Sequence, residues 1–315
     1  MTIKRHIHHL IMVSKHGHFG KAAEELKISQ PALSSSILTL EKKLGVKLLD
    51  RKHGSIVATV FGELLITRGK ELLIAEDELY REIDLLGNNQ IGSFKVSFGG
   101  YPSVISGYKG IAQMLAKYPN IQICSHVKGW RDVVNSVMCR EVDIGIAEIS
   151  EIQDHEELDT ELLGQHKGHF FCRSGHPLHT HKKKSMQQLF DYPWISTRLP
   201  SRLAKLIPKP NQVAGRIDPI NGDFIPAIEI DVPIFLSELL INSDAIAPAL
   251  ISMVEDDFIA GKILPLLTNG FSMQTEYGFI YLKNRTLSPA TLAFMQEIRD
   301  IESNYASKEH VNFSI

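Results

Sequence analysis

The side chains best suited to chemistry fall within the first 60 residues. Gln30, Ala32, Ser34 and Ser35 cluster around Pro31, and Arg51, Lys52 and His53 stand together further on. A glutamine amide can pair bidentately with adenine, a serine hydroxyl serves several partners, and small neighbours allow close approach to a groove. Cations nearby suit phosphate oxygens, which position a protein on a duplex without reading it. This is the chemistry of recognition, in which no bond is made or broken.

Histidine offers a competing chemistry. His6, His8, His9, His16 and His18 crowd the same segment, and His176, His179 and His181 lie near Lys182, Lys183 and Lys184. On a helix His8 and His9 point to different sides, and neither group brings a cysteine or carboxylate set with ligand spacing. A metal-responsive regulator is therefore the weaker alternative, and no metal site is assigned. Cys124, Cys139 and Cys172 are scattered and lack a Cys-x-x-Cys pair, which suits reduced thiols better than disulfides or zinc. With no Gly-rich phosphate loop and no nucleophile elbow, the expectation is a non-enzyme that uses no cofactor.

Charge separates the first segment from the rest. The net charge is −2, but residues 1–60 carry ten Lys and Arg against four acids, so a basic head of +6 precedes an acidic body of −8. A polyanion partner at one end is the natural reading.

The elements needed to hold the polar cluster are legible in the spacing. Ile7, Leu10, Ile11 and Ser14 share one side of a helix that should stop at Gly17. Gly20 is expected to cap a second helix containing Ala22, Ala23 and Leu26. Ser29 is a good N-cap for a third, with Pro31 in its first turn. Leu33, Ile37, Leu40 and Leu44 then form a buried stripe ended by Gly45. Two short helices and a tight turn make a helix-turn-helix, whose second helix offers its leading residues to the major groove of double-stranded DNA. Residues 47–59 read as a hairpin with a basic tip, a clamp on phosphates.

These residues resemble one family. His16-Gly17-His18-Phe19-Gly20-Lys21-Ala22-Ala23, Leu26, Ser29-Gln30-Pro31-Ala32-Leu33-Ser34, Ile37, Leu40-Glu41, Leu44-Gly45 and Leu48-Leu49-Asp50-Arg51 look like the LysR-type transcriptional regulators. The resemblance implies an N-terminal winged helix-turn-helix, a long dimerising linker helix, and a two-lobed α/β effector domain similar to type 2 periplasmic binding proteins. The chain departs from the family at His18, where Ser is usual, at Gly20, where a capping Ser or Thr is usual, and at Ser35-Ser36, where a long polar side chain often follows. The expected division is 1–60 for the DNA-binding domain, 61–92 for the linker helix and hinge, and 93–315 for the effector domain.

Thr59 can cap the linker helix, in which Leu65, Leu72, Leu79 and Leu86 recur every seven residues. Such a seam asks for a partner helix, although Gly69 and Glu76 interrupt it. The resemblance supplies a second copy as that partner, in a homodimer or homotetramer, and a regulator of this kind leaves RNA polymerase as a further protein partner.

From residue 93 short apolar runs alternate with helical patterns. Strands are expected at 94–98, 121–127 and 144–147, with helices at 104–117 and 131–140 between them, which implies a parallel sheet. A second set has strands at 168–172, 194–196, 227–232 and 245–247 and helices at 185–190 and 233–242. A strand at 279–282 and a helix at 288–304 close the pattern. Residues 199–224, rich in Pro, Asn and Gly, form a candidate functional loop.

Ligands of such sheets bind beyond the carboxyl ends of strands. Gly100, Tyr101, Pro102 and Ser103 follow the first strand and open a helix, whose free amides attract an anion. Similarity to the family implies effector contacts at the matching strand ends, namely Lys128 to Trp130, Glu148, Ser196, Thr197, Arg198, Ala247 and Pro248. Lys128 and Arg198 favour an anionic small molecule, while Glu148 would suit an amine. A solute-binding protein without DNA function is the other alternative. The opening residues lack a secretory signal and no apolar run approaches the roughly 20 residues of a membrane span, so a cytoplasmic location with no membrane partner is expected.

Overall fold

The computed structural model describes residues 3–52, 55–87, 92–180, 184–208, 210–268 and 273–309. The chain divides into two compact units, Met1–Asn89 and Gln90–Ile315.

The first unit is built from α1 (Ile3–His16), α2 (Phe19–Glu25), α3 (Gln30–Leu44), a hairpin of β1 (Leu49–Lys52) and β2 (Ser55–Ala58), and α4 (Val60–Gly87). Gly17 ends α1 with φ +60°, and Gly45 caps α3 with φ +72°, both in the left-handed region that glycine adopts at no steric cost. The Ser29 hydroxyl accepts the Ala32 amide at 3.4 Å, as expected of the α3 N-cap. Thr59 does the same for α4, accepting from the Gly62 amide at 3.1 Å while donating to the Lys47 carbonyl at 2.7 Å. The core joins Met12, Val13, Ala22, Ala23 and Leu33 on one side to Leu10, Ile37, Leu40 and Leu48 on the other.

Three expectations for this unit change. His18, not Gly20, caps α2: its Nδ1 accepts the Gly20 amide at 3.0 Å, so Gly20 lies inside the helix. A Cβ at Gly20 would stand 3.0 Å from the imidazole, so glycine leaves room for an aromatic cap. Leu44 is 43% exposed, because α3 ends there and the stripe turns away from the core. On α1 the buried side is completed by Met12 and Val13, with Ile11 and Ser14 only half-buried.

The second unit has two lobes. One contains a five-stranded sheet in the order Gln122–Val127, Ser93–Phe98, Ile144–Glu148, Tyr277–Leu282, Leu158–Gly164. Its first three strands are parallel, as expected, and Tyr277–Leu282 runs antiparallel to both neighbours. Phe94, Phe98, Ile144, Phe279 and Phe294 pack its core. In the other lobe Lys167–Arg173 pairs antiparallel with Ala247–Ala249, Ile263–Leu266 and Met273–Gln274 around Trp194, Phe170, Phe190 and Phe224. Parallel pairing there is limited, among the described residues, to Ile195–Ser196 with Ile228–Glu229 and the bridges of Trp194 with Ile246 and Lys184 with Thr268. The expected strand at 227–232 shrinks accordingly to two residues. Residues 199–224 form a short helix, Ser201–Ala204, and a strand, Gly215–Ile217, that pairs with Phe224–Pro226.

The chain passes between the lobes near His166 and Thr275, which are tied together. The His166 amide donates to Thr275 Oγ1 at 3.1 Å, and the Thr275 amide to the His166 carbonyl at 3.0 Å.

Candidate functional site

On the first unit, the leading turn of α3 faces solvent. Gln30, Pro31, Ala32 and Ser35 are exposed and Ser34 is half-buried, whereas Leu33, Ile37 and Leu40 on the opposite side are buried. Ser36 also faces inward, where its hydroxyl meets His9 Nδ1 at 2.7 Å and joins α3 to α1. Burial holds the His9 imidazole below its ordinary range, with the nearby cations Arg5, His8 and His6 adding to that effect. A neutral ring suits a bond to a hydroxyl.

The hairpin presents its cations beside this helix in sequence and faces them to solvent. Arg51 pairs in register with Ile56 and Lys52 with Ser55, and both basic side chains are exposed. His53 lies outside the described residues. Among the described residues, the side chains of Gln30, Ser34, Arg51 and Lys52 make no intramolecular hydrogen bond or ion pair. Their donors are available to another molecule. By contrast, Lys15 and His16 are both engaged by Glu25.

Along α4 the leucine seam divides. Leu65 is half-buried against Leu10, Ile37, Leu40 and Leu48, whereas Leu72 and Leu79 are about half exposed. The Leu86 side chain lies outside those described. Gly69 is buried because a Cβ there would overlap Ile7 of α1, and Lys4 bridges α1 to Glu76 at 3.1 Å.

In the second unit a cavity of about 50 Å3, enough for a few water molecules, lies between the lobes. The expected residues Gly100, Tyr101, Pro102, Lys128, Trp130, Glu148, Thr197 and Arg198 all line it. Ser103, Ser196, Ala247 and Pro248 do not. Ser103 is buried and spends its hydroxyl on the Gly100 carbonyl at 2.6 Å, and the Ser196 hydroxyl donates to the Thr197 carbonyl. The Pro248 carbonyl instead accepts the Tyr101 hydroxyl at 2.9 Å across the lobes. At Gly100 a Cβ would come within 2.6 Å of Thr197 and 2.9 Å of the Asp231 carbonyl, so only glycine permits this approach.

The charges at the cleft are spent within the protein. Glu148, expected to be free for a ligand, receives both arms of Arg202, at 3.1 and 3.0 Å. Arg198 pairs with Glu229 at 3.1 Å and Asp218 at 3.3 Å. Lys128 donates to Ser136 at 2.7 Å and reaches Glu141 at 3.4 Å. A second clasp joins Arg131 of the first lobe to the fully buried carboxylate of Asp223, at 2.7 and 2.9 Å, and Arg131 also holds Glu151. Hydrogen bonding to Asp223 keeps the Arg131 guanidinium charged. Asp231, beside the cleft mouth, is shifted upward by burial and then by Glu229 and Asp132.

Behind the cleft lies a buried network that sequence reasoning missed. His166 Nε2 meets Glu302 at 3.0 Å and the Tyr277 hydroxyl at 2.9 Å, and that hydroxyl donates to Glu302 at 2.7 Å. This pattern places a proton on Nε2. Burial raises the Glu302 carboxyl, but the bonds from His166 and Tyr277 outweigh it and leave the group below its ordinary value. Gly164 makes room, since a Cβ there would stand 2.7 Å from His166 Nε2. Arg131, Arg202 and Asp223 carry no sequence signal of their own, although the last two fall within the 199–224 candidate loop. Among the described residues no group of three or more His, Cys, Asp or Glu could hold a metal ion. Burial pushes the Cys172 thiol up to about 12, so this sulfur stays protonated beside His179.

Comparison with known proteins agrees with both units. Residues 5–63 match the bacterial regulatory helix-turn-helix protein model of the lysR family, and residues 108–302 match the LysR substrate binding domain. The chain is 29% identical to the SDS degradation transcriptional activation protein of Pseudomonas sp. (strain ATCC 19151), over 95% of this chain and 96% of that protein. It is 25% identical to the HTH-type transcriptional regulator GbpR of Rhizobium radiobacter, over 82% of this chain and 83% of that one. Its fold is similar to that of full-length CbnR in complex with its target DNA, at TM-score 0.64 and 18% identity, over 96% of this chain and all of that one. A full-length OxyR variant from Pseudomonas aeruginosa is similar at TM-score 0.60 and 17% identity, over 95% of each chain. The chain belongs to the LysR family of DNA-binding transcriptional regulators, with a helix-turn-helix head and a substrate-binding effector domain.

Proposed function

We propose that this regulator reads a specific DNA sequence through the leading turn of α3 and is controlled by a small molecule bound between the lobes of its second unit. Gln30, Ala32, Ser34 and Ser35 contact base edges beside Pro31, while Arg51, Lys52 and His53 hold phosphates. Effector contacts come from Gly100, Tyr101, Pro102, Trp130 and Thr197. The single observation that carries the reading is the outward-facing leading turn of α3, whose Gln30 side chain has no partner among the described residues, on a helix locked from behind by Leu33, Ile37 and Leu40. The DNA-bound state of the similar CbnR fold supports a duplex as the partner.

In this reading 1–60 is the DNA-binding domain, 61–92 the linker and hinge, and 93–315 the effector domain. Leu72 and Leu79, exposed on α4, meet a second copy, which places two recognition helices on half-sites. The effector acts only by its differential affinity for two assemblies, and RNA polymerase is the downstream partner. The protein acts in the cytoplasm; among the described residues no helix is long and apolar enough to cross a membrane. The test is a gel shift with DNA from upstream of the protein's own gene. Retardation that survives competitor DNA, and that Gln30→Ala weakens, is expected; absence of binding at low salt would overturn the reading.

A further inference from the structure

The cavity between the lobes measures about 50 Å3, whereas pockets that enclose an organic ligand run to roughly 300 Å3 or more. An effector therefore enters only if the lobes part. The contacts that join them decide how readily that happens.

The two ionic clasps across the cleft come from one region. The helix Ser201–Ala204 and the hairpin of Gly215–Ile217 with Phe224–Pro226 belong to the second lobe, where Leu203, Ala204, Ala214 and Phe224 pack in one core with Trp194. From that base they reach the rim of the first lobe. Arg131, in the first turn of the helix Trp130–Met138, grips Asp223 through two bonds of 2.7 and 2.9 Å. Its Nη2 also holds Glu151 at 2.9 Å, and Glu151 in turn accepts the Ser201 amide at 2.9 Å. That amide opens a helix whose N-cap, Pro200, makes no side-chain bond, so a carboxylate of the opposite lobe satisfies the orphan donor. Arg202 adds bonds to Glu148 and to the Ser150 hydroxyl, at 3.0 to 3.1 Å.

The Asp223 side chain is fully buried in this arrangement. While the lobes stay shut, removing one partner of the pair leaves a charge uncompensated in the interior, and parting the lobes lets water solvate it. The pair stabilises the shut cleft only as long as both ions are present. Resting on the effector reading above, we propose that the Ser201–Ala204 helix and the Asp223 turn form a latch that holds the cleft shut through Arg131, Glu148 and Glu151, and that an effector binds after the latch releases. Effector affinity is then scaled by the fraction of molecules that are open, and a change that loosens the latch raises it without touching the ligand.

Residue-resolved hydrogen exchange of the full-length protein, with each rate corrected for its intrinsic value, tests the latch with no effector present. The reporter is the Ser201 amide, which is bonded across the cleft. The control is Leu199 and Phe224, whose amides donate to each other's carbonyls at 3.0 Å within the second lobe. In Asp223→Asn, Ser201 exchange is expected to rise at least about tenfold while Leu199 and Phe224 stay within about twofold of wild type. Arg131→Gln alters the other lobe at a partly exposed side chain, is expected to give the same pattern, and decides the matter if Asp223→Asn fails to fold. Unchanged Ser201 exchange in either folded variant overturns the proposal. Equal acceleration of Leu199 and Phe224 overturns it as well, because the lobe itself has then loosened. Since no effector enters the measurement, a negative result strikes the latch and leaves the effector reading standing, whereas a working latch in protein that gives no gel shift strikes the regulator reading alone.

Discussion

The head and the effector unit treat polar side chains in opposite ways. On the head, Gln30, Arg51 and Lys52 stand at the surface, with Ser34 half-buried beside them, and none has a side-chain partner among the described residues, whereas in the cleft Lys128, Glu148 and Arg198 are each matched. The difference follows from solvent. An unpaired ion at an open surface costs little and stays available to a polyanion, but an ion inside a closing cleft must bring its counter-charge. The first arrangement leaves its charges open to a partner, and the second commits them within the protein.

The strongest way to break this comparison is to unpair the interior. Glu302→Ala strands His166 and Tyr277 and is expected to destabilise the effector unit by on the order of 3 to 5 kcal/mol, read from thermal unfolding. A loss below about 1 kcal/mol would mean that the network is dispensable. Because the Glu302 carboxyl sits below its usual value of 4.5, its contribution is complete above that pH and is lost as acid titrates the folded state. The stability gap between wild type and Glu302→Gln should therefore narrow on acidification below pH 4.5.

Gln30→Ala on the head should leave the melting temperature alone and cost about 1 to 3 kcal/mol of binding at particular base pairs. Quantitative gel shifts over single-base operator variants would show it, and a uniform loss across all variants would contradict the role. Ser29→Ala removes the cap behind that turn and is expected to cost the head roughly 1 kcal/mol, measured by denaturant unfolding. The smallest effect sharpens the comparison rather than breaking it. Lys52→Ala should lower the slope of log affinity against log salt by about one phosphate contact, and an unchanged slope would remove Lys52 from the interface.

Local rules made the head legible. Ser29, Pro31, Gly17 and Gly45 act where cap and turn chemistry put them, and the Leu33, Ile37, Leu40 spacing fixed which side of α3 faces out. The cap of α2 escaped because an imidazole nitrogen seldom takes that role, and only the fold shows that Gly20 vacates the space it needs. In the effector unit, strand-end reasoning found Gly100 to Pro102, Lys128, Trp130, Glu148, Thr197 and Arg198 around one cavity. Their pairing stayed hidden, because Arg202 and Asp223 meet Glu148 and Arg131 across 54 and 92 residues of chain. The strands Leu158–Gly164 and Ile263–Leu266 were missed for a related reason. Edge positions leave Leu162 half exposed, and Pro265 interrupts the other, so neither shows a clean alternation.

The missing side chain at Gly69 has a mechanical meaning. Ile7 occupies the space that any larger residue would fill, and the Lys4 to Glu76 bridge lies further along the same two helices. The linker is thus keyed to the head like a shaft to a hub: it can neither slide along α1 nor spin in place without losing that fit. A rotation of α4 would press on Ile7 through this fit and so reach α1, the helix that Ser36 joins to α3.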